Sequence, residues 1–206
     1  MTRAAKKRIV VAITGASGAV YARRLLQLLC ASGVEVHLII SPPGRRLLAD
    51  ELRIDPPTAE ALVGGRLAES IIVHPYKDIG ASVASGSFLT DGMIICPCSS
   101  NTLADVAAGT GANLISRAAA VTLKESRRLI VVPREMPVSQ IEIGNMLRVS
   151  QAGGIVCPAS PGFYLLPQRV DDLVDFVVGK LLDLIGVPHD LKTRWQPPAD
   201  GGSPTD

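Results

Sequence analysis

Apolar residues along this chain follow two periods. Largely apolar, β-branched runs of strand length occur at 8–13 (RIVVAI), 34–40 (VEVHLII), 92–96 (GMIIC), 128–132 (RLIVV) and 154–157 (GIVC). Between them, apolar positions recur every three to four residues, which predicts helices over 17–31, 43–53, 99–108, 113–125, 138–152 and 170–185. Strands apolar on both faces must be covered on both, and strands that alternate with helices pair in parallel. The pattern predicts an α/β protein, a Rossmann-like doubly wound parallel sheet in three α/β/α layers. Residues 54–80, with Pro56-Pro57 and Gly64-Gly65, read as a less regular connection. A single domain over 1–195 is expected, followed by a flexible tail at 196–206 (QPPADGGSPTD).

Composition narrows the function classes. The 206 residues are 47% hydrophobic, enough for one core of ordinary thickness. Charged residues are 19%, the net charge is +2 and aromatics are 3%, so the chain advertises neither a basic surface for nucleic acid nor a platform for stacking bases. Lys6-Lys7-Arg8 before Ile-Val-Val-Ala-Ile imitates an export signal. That apolar run is shorter than the ~7–15 residues such a signal uses, and cleavage would remove the turn that follows. No run approaches the ~20 apolar residues of a membrane span, so a cytoplasmic protein is expected. Four cysteines (Cys30, Cys96, Cys98, Cys157) and three histidines (His37, His74, His189) have no metal-ligand spacing. They read as buried thiols and core or surface imidazoles, and no metal is expected.

In a doubly wound sheet, ligands bind outside the carboxyl ends of the strands, where helix N-termini direct N–H groups at anions. Four such ends carry suggestive residues. The first strand runs into Gly15-Ala16-Ser17-Gly18. It lacks the G-x-G-x-x-G spacing, the acidic residue ending the second strand (which ends at Ser41) and the Walker lysine, so neither NAD nor ATP fits. The third predicted strand ends in Cys96-Pro97-Cys98-Ser99-Ser100-Asn101-Thr102, where capping needs only one of four consecutive polar residues. Just before it, Ala84-Ser85-Gly86-Ser87-Phe88 is a small, hydroxyl-bearing corner, read either as a plain loop or as a backbone that a flat ring can approach. The fourth ends in Val132-Pro133-Arg134-Glu135-Met136-Pro137, an ion pair or a charged wall stiffened by prolines. Arg117 and Lys124 share one face of a predicted helix, serving the same pocket or only the surface. Phe163 and Tyr164 follow the last strand, and the Tyr164 hydroxyl can meet an anion.

T-G-A-S-G-A (14–19), S-G-S-F (85–88), C-P-C-S-x-x-T-L (96–103), R-A-A-x-V-x-L-K-E-x-R (117–127), V-P-R-E-M-P (132–137), P-G-F-Y-x-x-P (161–167) and D-L-V-D-F-V-V-G-K-L-L-D (172–183) occur in this order. Together, across nearly all of 8–195, they resemble the UbiX family of flavin prenyltransferases. The resemblance implies joining of a dimethylallyl group, from dimethylallyl monophosphate, to N5 and C6 of reduced FMN. The product is a prenylated FMN that serves UbiD-type decarboxylases. It implies that Gly15, Ala16, Ser17, Gly18, Ser41, Ser99, Ser100, Asn101, Thr102 and Arg134 hold the flavin. It places Ser17 and Glu51 near the reacting edge, and Arg117, Lys124, Glu135 and Tyr164 around the prenyl phosphate, with Ser85, Gly86, Lys180 and Trp195 as further substrate contacts. Lys180 stands where the family commonly has Arg, which keeps the charge and loses the bidentate fork. Lys124, Arg134 and Lys180 become the candidates for stabilising a leaving phosphate without a metal, and Glu135 or the departing phosphate for taking the C6 proton. The resemblance also implies a homo-oligomer, typically a dodecamer with sites at subunit junctions. Two other readings are a flavin-dependent cysteine-type decarboxylase, for which His74 is the only plausible catalytic histidine, and a non-catalytic FMN carrier.

Overall fold

A computed structural model describes residues 6–194. Trp195 and the expected tail at 196–206 lie outside the described residues. Six strands, β1 (Arg8–Ile13), β2 (Glu35–Ile40), β3 (Ile71–His74), β4 (Gly92–Cys98), β5 (Arg128–Pro133) and β6 (Ile155–Val156), form one sheet in the order β3-β2-β1-β4-β5-β6. Every pairing is parallel. The order reverses between β1 and β4, and in such sheets that crevice is where ligands bind.

Alternate residues of the strands feed two cores. Ile9, Val11 and Ile13 pack with Leu25 and Leu29 of α1 (Ala19–Ala31) and with Val178 and Leu181 of α7 (Val170–Ile185) on one face. Val10, Ala12, Met93 and Ile95 pack with Leu103 of α4 (Ser100–Ala108) and Ile115 and Ala119 of α5 (Leu114–Lys124) on the other. Residues 9–13 are all buried, which explains the unbroken apolar run. Two shorter layers complete the fold: α2 (Pro42–Leu52) and α3 (Ala59–Val63) beside α1, and α6 (Gln140–Gln151) between β5 and β6. Among the described residues, no helix is long and apolar enough to cross a membrane.

Two expectations are corrected. The connection at 54–80 contains α3 and the edge strand β3, a four-residue strand too short to register as a period. Its Ile72 and Val73 are exposed because nothing pairs beyond them. The first helix starts at Ala19 and not at Ser17, since Gly18 sits at φ +120°, outside the helical region.

At that edge His37 is buried and its Nδ1 lies 2.9 Å from His74 Nε2, with the rings stacked 5.2 Å apart. His37 Nε2 meets Glu35 at 3.1 Å, Arg8 reaches the same carboxylate at 2.8 Å, and the Phe88 ring closes the other side. Burial, and then the neighbouring His37, push the proton affinity of His74 below the ordinary histidine value. The unfolded chain then binds a proton that the folded edge refuses, so this contribution to stability is intact above the unfolded pKa of ~6.5 and lost as pH falls below it. Thermal melts at pH 8 and pH 5.5 should show a lower Tm at the acidic pH, at about 2–4 °C per kcal/mol for this length. The difference should shrink in His74→Gln. An unchanged difference in that variant would refute the assignment to this pair.

Candidate active site

The carboxyl ends of β1, β2, β4 and β5 are tied together by polar contacts. Thr14, buried at the end of β1, donates its hydroxyl to Pro97 O at 2.8 Å and accepts the Ser99 N–H at 2.8 Å. This joins β1 to β4 across the crevice. Ser41 ends β2 and caps α2, its oxygen accepting Gly44 N–H at 3.1 Å, while Pro42 and Pro43 fill the first helical positions, where an N–H has no partner anyway. Ser99 caps α4 by accepting from Thr102 N–H, and its hydroxyl donates to Thr102 Oγ1 at 3.1 Å. Arg134, just past β5, donates its Nε–H to Ser17 O at 3.0 Å. A cation from one strand end is thereby fixed on the glycine turn of another.

The turn itself is bare backbone. A side chain at Gly15 would lie 2.4 Å from Pro43 Cβ, and one at Gly18 would lie 2.8 Å from the Tyr21 ring. With Gly18 at the N-cap, no side chain of the turn caps α1. Glu51 does so from α2, accepting Gly18 N–H at 3.0 Å and Ala19 N–H at 2.8 Å. An anion at a helix N-terminus is favourable, and here the protein supplies it. On the opposite wall Ser100 Oγ lies 3.2 Å from Glu135 and 2.8 Å from Glu142.

These groups fit a flat, singly phosphorylated ligand. Gly15, Ser17 and Asn101 are exposed, and Asn101 makes no side-chain hydrogen bond among the described residues. The Ser41 hydroxyl keeps its proton free for an acceptor, since as a cap it only accepts. Among the described residues, both terminal nitrogens of Arg134 are likewise uncommitted. The thiols beneath are not part of the chemistry: burial pushes Cys98 up to about 12 and Cys96 higher, so neither is a ready nucleophile.

The chain does not gather every expected residue here. Gly15 to Gly18, Ser41, Glu51, Ser99 to Thr102, Arg134 and Glu135 share the carboxyl edge. Lys124 ends α5 four residues before the start of β5, and Arg128 of β5 pairs with Gly92, the first residue of β4. Lys124 therefore stands at the amino edge, a strand length of roughly 20 Å from Arg134. It pairs with Glu125 at 3.2 Å, over the backbone of Gly86. Ser85 bonds Ser87 at 2.9 Å, and Arg127 donates to the carbonyls of Gly86 and Phe88, fixing that corner to the same edge. Arg117 lies two turns before Lys124, exposed beside Gly111. Tyr164 is exposed in the loop after β6, its ring edge-on to Phe176 at 5.7 Å. Lys180 is exposed one turn further along α7, close enough to Cys157 to oppose the rise that burial imposes on that thiol. Among the described residues no hydrogen bond or ion pair joins Tyr164 or Lys180 to the carboxyl-edge network. His74 is engaged with His37 at the end of the edge strand, away from the crevice.

Two residues of this network escaped sequence reasoning. Thr14 was legible only as part of the turn motif, and Glu142 only as a helix-start signal, Ser139-x-x-Glu142.

Comparison with known proteins identifies the family. The sequence model of the family described as Flavoprotein matches residues 1–182. A flavin prenyltransferase UbiX from Halalkalibacterium halodurans is 46% identical over 196 residues, covering 94% of this chain and 95% of that protein. One from Thermoplasma acidophilum is 49% identical over 190 residues, covering 91% and 99%. The crystal structure of AnUbiX (PadA1) in complex with FMN and dimethylallyl pyrophosphate superposes with a TM-score of 0.84 at 41% identity, covering 93% of this chain and 98% of that one. A dodecameric FMN-dependent UbiX-like decarboxylase from Escherichia coli O157:H7 superposes at 0.83 with 41% identity, covering 92% and 99%. A PPC decarboxylase at 16% identity and a TM-score of 0.56 shares the fold alone. From the glycine turn through the Arg134 wall, over nearly the whole length of its relatives, the chain belongs to the UbiX family of flavin prenyltransferases.

Proposed function

We propose that this enzyme transfers the dimethylallyl group of dimethylallyl monophosphate to N5 and C6 of reduced FMN, and that the prenylated flavin serves a UbiD-type decarboxylase. The observation that carries the reading is the Arg134 to Ser17 bond at 3.0 Å, which holds a cation against the glycine turn at the strand-order reversal. The FMN and dimethylallyl pyrophosphate bound by AnUbiX support FMN and a phosphorylated dimethylallyl donor as the ligand classes. In this reading Ser41, Ser99 to Thr102 and the turn Gly15 to Gly18 hold the flavin. Ser17 and Glu51 sit by N5, where Glu51 fixes the turn through two N–H bonds and is placed to exchange a proton.

The allylic C–O bond breaks as the new C–N bond forms, and phosphate leaves with the C–O electron pair. Cations aimed at it lower the barrier, as preorganised donors do for any developing oxyanion. Tyr164 and Lys180 belong to this chain's own phosphate wall. Lys124, Ser85 and Gly86 stand at the wrong edge of their own sheet, so a second copy supplies them, while Arg117 lies in the first turn of α5, which begins nearer the carboxyl edge, where Leu114 N–H bonds Tyr76 O just past β3. Exposed apolar side chains flank the carboxyl edge: Met136 at 87%, Ile141 at 76%, Phe163 at 67% and Leu166 at 76%. A patch of that kind beside a site is a protein interface. The dodecameric relative supports a homo-oligomer of this chain.

Anaerobic incubation of the protein with reduced FMN and dimethylallyl monophosphate should give a flavin heavier by one C5H8 unit in the mass spectrum. Tight FMN binding with no mass change would instead support a carrier, and carbon dioxide from a cysteine-containing substrate would support a decarboxylase.

A further inference from the structure

We propose that Glu142 is a positioning residue for the transfer: it draws the Ser100 hydroxyl proton to itself and so leaves the Glu135 carboxylate free to act as a base. The inference rests on the prenyltransferase reading. Its basis is a three-way contact at the carboxyl edge. Ser100 Oγ lies 2.8 Å from Glu142 Oε1 and 3.2 Å from Glu135 Oε2. A hydroxyl has one proton, and two carboxylates bring none of their own, so only one of them receives the bond. The shorter distance gives it to Glu142.

Glu142 is built to keep it. Its Oε2 accepts Ser139 N–H at 2.7 Å, and Ser139 Oγ accepts Glu142 N–H at 3.4 Å, closing a reciprocal cap at the start of α6. The bonds from Ser139, and then the one from Ser100, hold its carboxyl below the usual carboxylate range, so it remains the acceptor. Among the described residues, Glu135 otherwise receives only Met136 N–H, at 3.3 Å, on its other oxygen. A donor on a carboxylate stabilises the anion and weakens it as a base. With Glu142 in place, Glu135 Oε2 keeps its lone pairs for the proton lost from flavin C6: the C–H bond breaks, its electron pair returns to the ring, and the proton goes to the carboxylate. Without Glu142, the Ser100 hydroxyl turns to Glu135 and quenches it.

Steady-state prenylation by the full chain, with reduced FMN and dimethylallyl monophosphate, tests this through a double-mutant cycle. Glu142→Ala should lower kcat about tenfold, the size of one hydrogen bond to a charged group, with both KM values within about twofold. In a Ser100→Ala background the same substitution should lower kcat by less than about twofold, because no hydroxyl is left to misdirect. Circular dichroism spectra of Glu142→Ala and of the double variant should match that of the wild type, which separates the effect from loss of helix order. Either a tenfold loss that persists in the Ser100→Ala background or an unchanged kcat in Glu142→Ala would overturn the inference while leaving prenylation intact. A wild-type chain that forms no adduct overturns the prenyltransferase reading, and this inference with it.

Discussion

Lys124→Ala and Arg134→Ala chains, each inactive alone, should regain about a quarter of wild-type turnover when co-expressed and co-assembled. Each single variant should lose roughly a hundredfold or more in kcat, as when one preorganised donor is removed from an oxyanion site. The recovery follows from where the fold puts the two cations. Arg134 leaves the carboxyl end of β5 and is fastened to Ser17, whereas Lys124 precedes its amino end. No side-chain motion bridges a strand length of roughly 20 Å, so a site that needs both draws them from different chains. In a random mixture, half of the Arg134-bearing walls belong to Lys124→Ala chains, and half of their neighbours carry an intact Lys124, which gives about one site in four. The measurement is adduct formation per chain, on assemblies verified by mass spectrometry to contain both variants. Mixed assemblies that stay inactive would show that both groups must act within one chain, and the junction site would fall.

Thr14→Val should cost about 2–3 kcal/mol of stability and also weaken FMN binding. Valine matches the shape of threonine, so packing is preserved and the loss is polar. The Ser99 N–H loses its acceptor, and an unsatisfied donor of this kind costs ~1–3 kcal/mol beyond the lost bond itself. Pro97 O keeps the Thr14 N–H at 3.2 Å, which limits the damage on that side. At this chain length the change reads as a fall in Tm of roughly 4–12 °C. The binding effect follows because Thr14 is the strut that sets Ser99, and with it the α4 cap, relative to the glycine turn. Thr14→Ser, which keeps the hydroxyl, should recover most of both losses. If Thr14→Val melts and binds FMN as the wild type does, Thr14 is not the strut described.

Much of the fold was legible because its signals are local. An apolar run buried on both faces, such as Ile9 to Ile13, announces a central parallel strand, and the caps Ser41, Ser99 and Ser139 mark helix starts to within two residues. The edge strand Ile71–His74 was not legible: four residues, half exposed, carry no period. Gly15 to Gly18, Ser99 to Thr102 and Arg134 were legible as neighbours at the crevice because each lies directly after a strand, and parallel strands share one carboxyl edge. Glu51 and Glu142 reach that edge from helix positions whose direction depends on packing. The family motifs that hold Lys124 and Gly86 give their order along the chain without recording which edge of the sheet they reach.

By itself, then, the order of amino acids determined the architecture, the strand ends that form the crevice and the family, since periodicity, capping and short motifs are properties of neighbouring residues. Only the tertiary structure decided that Arg134 fastens the turn, that Glu51 caps α1, that Glu142 competes for the Ser100 proton, and that Lys124 lies at the far edge. Those facts depend on distances between residues far apart in the chain, which are set when the two cores close around the sheet and not by any local pattern.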